Sequence, residues 1–197
     1  MRSGFHLHSN GFGMVADTAT VADTAYVGEN CVVEDDAKVL DHARLEDFAR
    51  VSEDATVSGH ARIYGHGHVH GDANVFEFAH VFDNAKVSGL ASIFGNARVF
   101  GHARVYGEAE VFDNACVHEE AQIGDDAEVY GSAEVNGDAV VKGTAQVCGT
   151  EVLSWNEHAW FGYYDGDEDE DEDEDDNEDD NLDEDDEDES DEDSDGV

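Results

Sequence analysis

Residues 95–112 read GNARVFGHARVYGEAEVF, one six-residue phrase said three times with small changes. Val99, Val105 and Val111 recur every six residues, each preceded two residues earlier by Ala97, Ala103 or Ala109. Stepping by six from Val15 to Leu153 meets Val, Leu or Ile at all 24 positions, with no insertion. The 22 positions two residues earlier, from 19 to 145, are all Ala except Cys31 and Gly67. The positions two residues later, from 17 to 149, are Gly, Asp or Glu throughout. Residues two apart in an extended chain point to one face, so Ala and its aliphatic partner face inward and the residues beside them outward. The Gly, Asp or Glu that follows makes the turn, because small and short polar residues tolerate unusual backbone angles best. A helix is excluded, since a period of six does not hold one face at 3.6 residues per turn. A short strand and a corner, repeated, coil the chain into an all-β solenoid.

The phrases VSGHAR (57–62), VYGEAE (105–110) and GNARV (95–99) resemble the hexapeptide-repeat family of left-handed parallel β-helices. The resemblance covers residues 14–153 and implies three hexads per triangular coil in a single-stranded left-handed parallel β-helix. The left-handed sense is an exception to the usual crossover rule. At 18 residues per turn the hexads make about eight coils, a prism roughly 38 Å long at the usual strand spacing. The variant is similar to the GNARV-type repeat proteins of bacteria and bacteriophages. SNGFGMVADTATVADTAYVG (9–28) is similar to the starts of phage-encoded members. The family implies homotrimers assembled through the prism faces.

Four segments are expected. Residues 1–13 cap the first coil, 14–153 form the β-helix, 154–164 cap the last coil with Trp155, Trp160, Phe161, Tyr163 and Tyr164, and 165–197 form a disordered acidic tail. Each buried Val contributes about 1.5–3 kcal/mol, so the coils need no cofactor to fold.

The 197 residues include 51 acids and nine bases, a formal net charge of −42. Residues 165–197 hold 25 of the acids and no Lys or Arg, leaving 26 acids against nine bases before them. Such a surface repels nucleic acid and anionic membrane and favours cations or basic proteins. No apolar run approaches the roughly 18 residues of a membrane span, and MRSGFHLHSNGFG lacks the apolar core of a signal peptide. The location expected is the cytoplasm of a host cell, or a virion. Cys31, Cys116 and Cys148 are an odd, widely spaced set, which argues against a disulfide framework or a Cys-based zinc knot. Cys31 replaces an inward Ala; Cys116 and Cys148 fall on outward positions.

Stepping by 18 gives the columns of each face. One face carries Arg44, Arg62, His80 and Arg98 beside Tyr64, Phe82, Phe100 and His118. Another carries Arg50, His68, Lys86 and Arg104 beside His70, Ser88 and Tyr106. The remaining face sets Phe76, Phe94, Phe112 and Tyr130 beside Lys38, Thr56, Asn74 and Ser92. Two readings of the aromatic columns are open. They stack as ladders within the monomer, or, with Arg44, Arg62 and Arg98, they form an exposed oligomer or partner face.

Chemistry, if present, lies with histidine. His68 and His70 share a face and are candidates for a general base or, with His80 from another subunit, for a zinc site. His42 and His60 are expected to stack at one corner. Asp36, Asp54 and Asp72, with Asp35 and Glu53 beside them, offer hard oxygen donors suited to Ca²⁺ or Mg²⁺, or else a solvated acidic corner. The resemblance implies, for enzymes of the family, acyl transfer from an acyl-CoA donor with a His base. Such sites are built near a loop that leaves the coil, and no hexad here is interrupted. The first reading is therefore a non-enzymatic structural or protein-binding rod, possible in a phage setting, that associates with itself. An acyltransferase is the alternative. A polyanionic inhibitor or DNA mimic, whose tail engages a basic protein, is the third.

Overall fold

The computed structural model describes residues 4–154, together with the strand backbones at 158–159 and 163–164. The expected aromatic cap at Trp155, Trp160 and Phe161 and the tail at 165–197 lie outside the described residues. Tyr163 and Tyr164 enter only as strand backbone.

After the opening strand, each hexad contributes a short strand, and successive strands fall in turn on three sheets. Among the described residues the sheets hold ten, nine and eight strands, and within the coils neighbours are three strands apart in sequence. The pairing is parallel with a register of 18 residues, as in Arg62↔His80 and His80↔Arg98. The molecule is thus a parallel β-solenoid of about eight coils with three walls. The N–H of each outward residue donates to the carbonyl of the inward residue 17 positions on: Arg62 to Ala79, Tyr64 to Val81, Arg98 to Ala115. Inside, the repeated Ala and aliphatic residues are fully buried along one continuous core, and Cys31 takes its place there as the sequence predicts. Burial pushes the Cys31 thiol up to about 11.

The corners explain the third repeated position. A turn closes where the inward Ala donates to the carbonyl three residues back, as Ala61 does to Ser58. The residue after that carbonyl lies in the left-handed region, where Gly is comfortable and other residues are strained by about 1–2 kcal/mol. Nine Asp or Glu residues of the coils nonetheless adopt φ between 55° and 62°. All nine do the same thing: a carboxylate oxygen accepts the backbone N–H of the residue 18 positions on, at 2.9–3.3 Å. Asp83 binds Gly101, and Glu119 binds Gly137. In eight of the nine cases the recipient is Gly; Glu53 above Asp35 is the exception. Along two corners this produces a strict alternation, Asp41–Gly59–Glu77–Gly95–Asp113–Gly131 and Asp47–Gly65–Asp83–Gly101–Glu119–Gly137.

The N-terminal end is closed by local structure. Strand β1 (Phe5–Leu7) pairs antiparallel with β2 (Met14–Ala16), covering the first edge of one sheet. Residues 8–13 then run beneath strand Tyr26–Val27. Val27 donates to Asn10, Gly13 donates to Val27, and the Asn10 and His8 side chains reach the Ala25 carbonyl at 2.9 and 3.1 Å. Only Gly fits at position 13, where a Cβ would stand 2.5 Å from the Gly28 oxygen. The strand Thr20–Val21 begins the remaining sheet, and Ala19 and Val21 are only partly buried. No helix among the described residues is long and apolar enough to cross a membrane.

Two stability outcomes follow from this geometry. Gly67 stands where the repeat has Ala, yet a Cβ there would lie 2.9 Å from the Val81 carbonyl oxygen. Gly67→Ala is therefore expected to lower stability by about 1–3 kcal/mol, although it restores the repeat; thermal unfolding followed by circular dichroism checks this. Asp83→Ala loses the bond to Gly101 and keeps a strained corner, at a cost of about 1–2 kcal/mol. Asp83→Gly removes the strain and is expected to fall between the two in the same melt.

Candidate functional site

The outward residues of the faces are the place to look, because the interior is filled. The third face begins at strand Tyr26–Val27 and carries the arginine column. Tyr64, Phe82, Phe100 and His118 stack one above another, with ring centroids 4.6, 4.8 and 4.7 Å apart and planes within 5° of parallel. Phe76, Phe94, Phe112 and Tyr130 do the same on the second face, at 4.9, 4.9 and 5.0 Å. The spacing is that of adjacent parallel strands, so stacking is the direct result of register. The rings cover one another and are half-buried. Large apolar exposure sits elsewhere, at the corner residues Phe48 (56%), Phe78 (56%) and Leu90 (53%) and at the chain ends. The ladder reading thus describes these columns within one chain, with each ring half-buried rather than exposed.

Arginines lie against this stack. The Arg98 guanidinium is 5.6 Å from the Phe100 centroid and 6.0 Å from that of Phe82; Arg62 lies over Tyr64 and Arg44 over Tyr26. Glu46 binds both Arg44 and Arg62. Partial burial acts against its charged form, but the hydrogen bonds from Arg62 and Arg44 prevail and hold its carboxyl below the ordinary range. His80 stands edge-on to Tyr64 at 6.0 Å. Burial, with Arg62 and Arg98 beside it, disfavours its protonation. Tyr64, Phe78, His80, Asn96 and Arg98 line a shallow open groove between this face and its corner.

The histidine candidates separate. His68 and His70 flank Val69 on the first face, the one that begins with β2, and their rings stack at 4.5 Å. His80 belongs to the third face. The His68 Nε2 lies 3.1 Å from the Ser52 Oγ, a partner the sequence columns place on the next strand but that spacing alone did not single out. Burial, then the neighbouring His70, Arg50 and Lys86, push the His68 pKa down to about 4. His70 Nδ1 is 3.9 Å from Glu53. His118 contacts Glu134 at 2.8 Å, and that hydrogen bond, with a second from Asn136, holds the Glu134 carboxyl low.

Among the described residues, no group of three or more His, Cys, Asp or Glu side chains is arranged to hold a metal ion. At the acidic corner, Asp35 and Glu53 direct their carboxylates to the backbone N–H groups of Glu53 and Gly71. His42 and His60 do stack, at 5.3 Å, and the column continues to Phe78; a second corner stack joins Phe48 and His66. Cys148 corrects another expectation: it holds an outward position yet is only 4% exposed, on the rung above Tyr130. The three cysteines form no disulfide.

Comparison with protein-family models gave no match, and no curated protein matches the chain in sequence. What the chain demonstrates by itself is the fold, a parallel β-solenoid consistent with a hexapeptide-repeat β-helix.

The depressed His68 pKa has a consequence for stability. The unfolded chain takes up the proton near pH 6.5 and the folded chain only near pH 4, so stability falls as pH drops through that window. His68→Gln is expected to flatten that part of the stability profile, and the His68 ring resonances should not titrate above about pH 5 by NMR.

Proposed function

We infer that the chain is a non-enzymatic, protein-binding or structural rod. The observation that carries this reading is the unbroken register: 24 hexads follow one another with no excursion, so the walls stay flat and display side-chain columns. Catalysis needs a positioned group aimed at a substrate and a means of excluding water. The best histidine candidate has its Nε2 engaged by Ser52. Flat walls lined by aromatic and guanidinium columns suit recognition of another protein surface, where Tyr, Phe and Arg supply most of the binding energy. The third face is assigned as the surface for self-association into a trimer, through Arg98, Phe82 and Phe100. The likeness of its repeat to the GNARV-type proteins supports a bacterial or bacteriophage setting, in the host cytoplasm or on the virion.

Light scattering on the full chain is expected to give the mass of three copies. Phe82→Glu with Phe100→Glu is expected to give one copy with an unchanged circular dichroism spectrum. A single-copy mass for the unmodified chain overturns the self-associating form of this reading. Acetyl-CoA turnover on an amine or hydroxyl acceptor, lost in His68→Ala/His70→Ala, would overturn the reading altogether.

A further inference from the structure

Seven of the eight Lys and Arg residues of the described coils stand on strands, and Lys142 directly follows one; none is at a turn position. Their distribution among the walls is uneven. The second face offers Lys38 against Glu110 and Glu128, and the third sets its arginines beside Glu46 and Glu134. On the first face, the outward residues on and directly after the strands, from Arg50 to Lys142, include four cations and no carboxylate. Arg50 pairs with Glu34 on the preceding coil, and Lys142 lies over the Tyr106 ring. Lys86 and Arg104 face each other in register across adjacent strands. Both are exposed, and neither forms an ion pair among the described residues. Two like charges one strand spacing apart repel even in water, and an anion laid over both relieves this. Asp72, Asp83 and Glu108 stand at the corners beside the strip, and the Asp83 carboxylate is directed to the Gly101 N–H. A narrow cationic strip between acidic corners admits an extended anion and repels a broad acidic surface.

The chain carries such an anion. Residues 165–197 hold 25 carboxylates and no cation, and they follow directly on the strand Tyr163–Tyr164 at the far end of the prism. At about 3.3 Å per residue their full reach is about 110 Å, against a prism roughly 38 Å long. The whole first face is within range. A free polyanion must approach a body that is itself strongly negative, whereas a tethered one is already present at an effective concentration in the millimolar range. We propose that residues 165–197 dock along the first face of their own chain, over Lys86 and Arg104, as an electrostatic strap. The strap is independent of the rod's partner.

The lysines allow a direct test, because there are only three: Lys38 on the second face, and Lys86 and Lys142 on the first. Full-length protein is treated with a carbodiimide, which joins amines to carboxylates in contact, and the products are mapped by mass spectrometry. The expected result is links within one chain from the tail to Lys86 and Lys142, roughly tenfold more frequent than to Lys38, the ratio that about 1.4 kcal/mol of local attraction gives. These links should disappear at about 1 M salt, where screening is complete within a few ångströms. Arg104→Gln should reduce them at Lys86 without altering the circular dichroism spectrum. Equal linkage to Lys38, no linkage to the tail while Lys86 still reacts with an amine-specific ester, or linkage only between chains would each overturn the proposal.

Discussion

The hydrogen bond from each outward N–H to the carbonyl 17 residues on is the constraint from which the rest of the structure follows. It places residue i beneath residue i+18 on every wall and at every corner, so like stands on like. Aliphatic residues stack on aliphatic residues inside, where each removes the next from water. Outside, the same register sets ring on ring at distances between 4.6 and 5.0 Å, within the range where offset aromatic pairs attract. The aromatic ladders therefore need no partner molecule to account for them, and their half-burial is achieved within one chain.

The backbone also sorts the charges. A corner residue in the left-handed region must be Gly or a residue that gains something for the strain. Asp and Glu gain a bond to the next coil, because their carboxylates reach the N–H one layer above; a cationic side chain has no acceptor to offer that amide. Strand positions carry no such demand and accept Lys and Arg freely. The outcome is a prism with acidic edges and cations confined to its walls, a charge pattern that arises from backbone geometry before any question of binding.

How much of this was legible in the sequence follows from the same logic. The period of six gave the strands, the core, the place of Cys31 and the pairing of His42 with His60, because register alone decides those. Register does not say how far a neighbour's side chain will lean over, and so Cys148 was placed outward and found covered, and the phenylalanine ladders were expected to be more exposed than they are. The bond between Ser52 and His68 was hidden for a similar reason: it joins residues 16 apart, diagonal to the columns. The acidic corner residues were visible as a composition and missed as a mechanism. Reading the turn position in steps of 18 shows acid and glycine taking turns, which is the signal that a bond runs between them.

That alternation gives the molecule a second, longer repeat. Inside the prism one coil equals any other, but along two of its edges, from Asp41 to Gly131 and from Asp47 to Gly137, the unit is a pair of coils, 36 residues, with carboxylates separated by about 10 Å rather than 5 Å. At the larger distance physiological salt screens most of the repulsion. Removing a single coil within these stretches would keep the core intact and yet bring acid over acid at the seam, as already occurs where Asp23 stands beneath Asp41. Within these stretches the edges favour changes of two coils at a time, although the interior would tolerate any whole number.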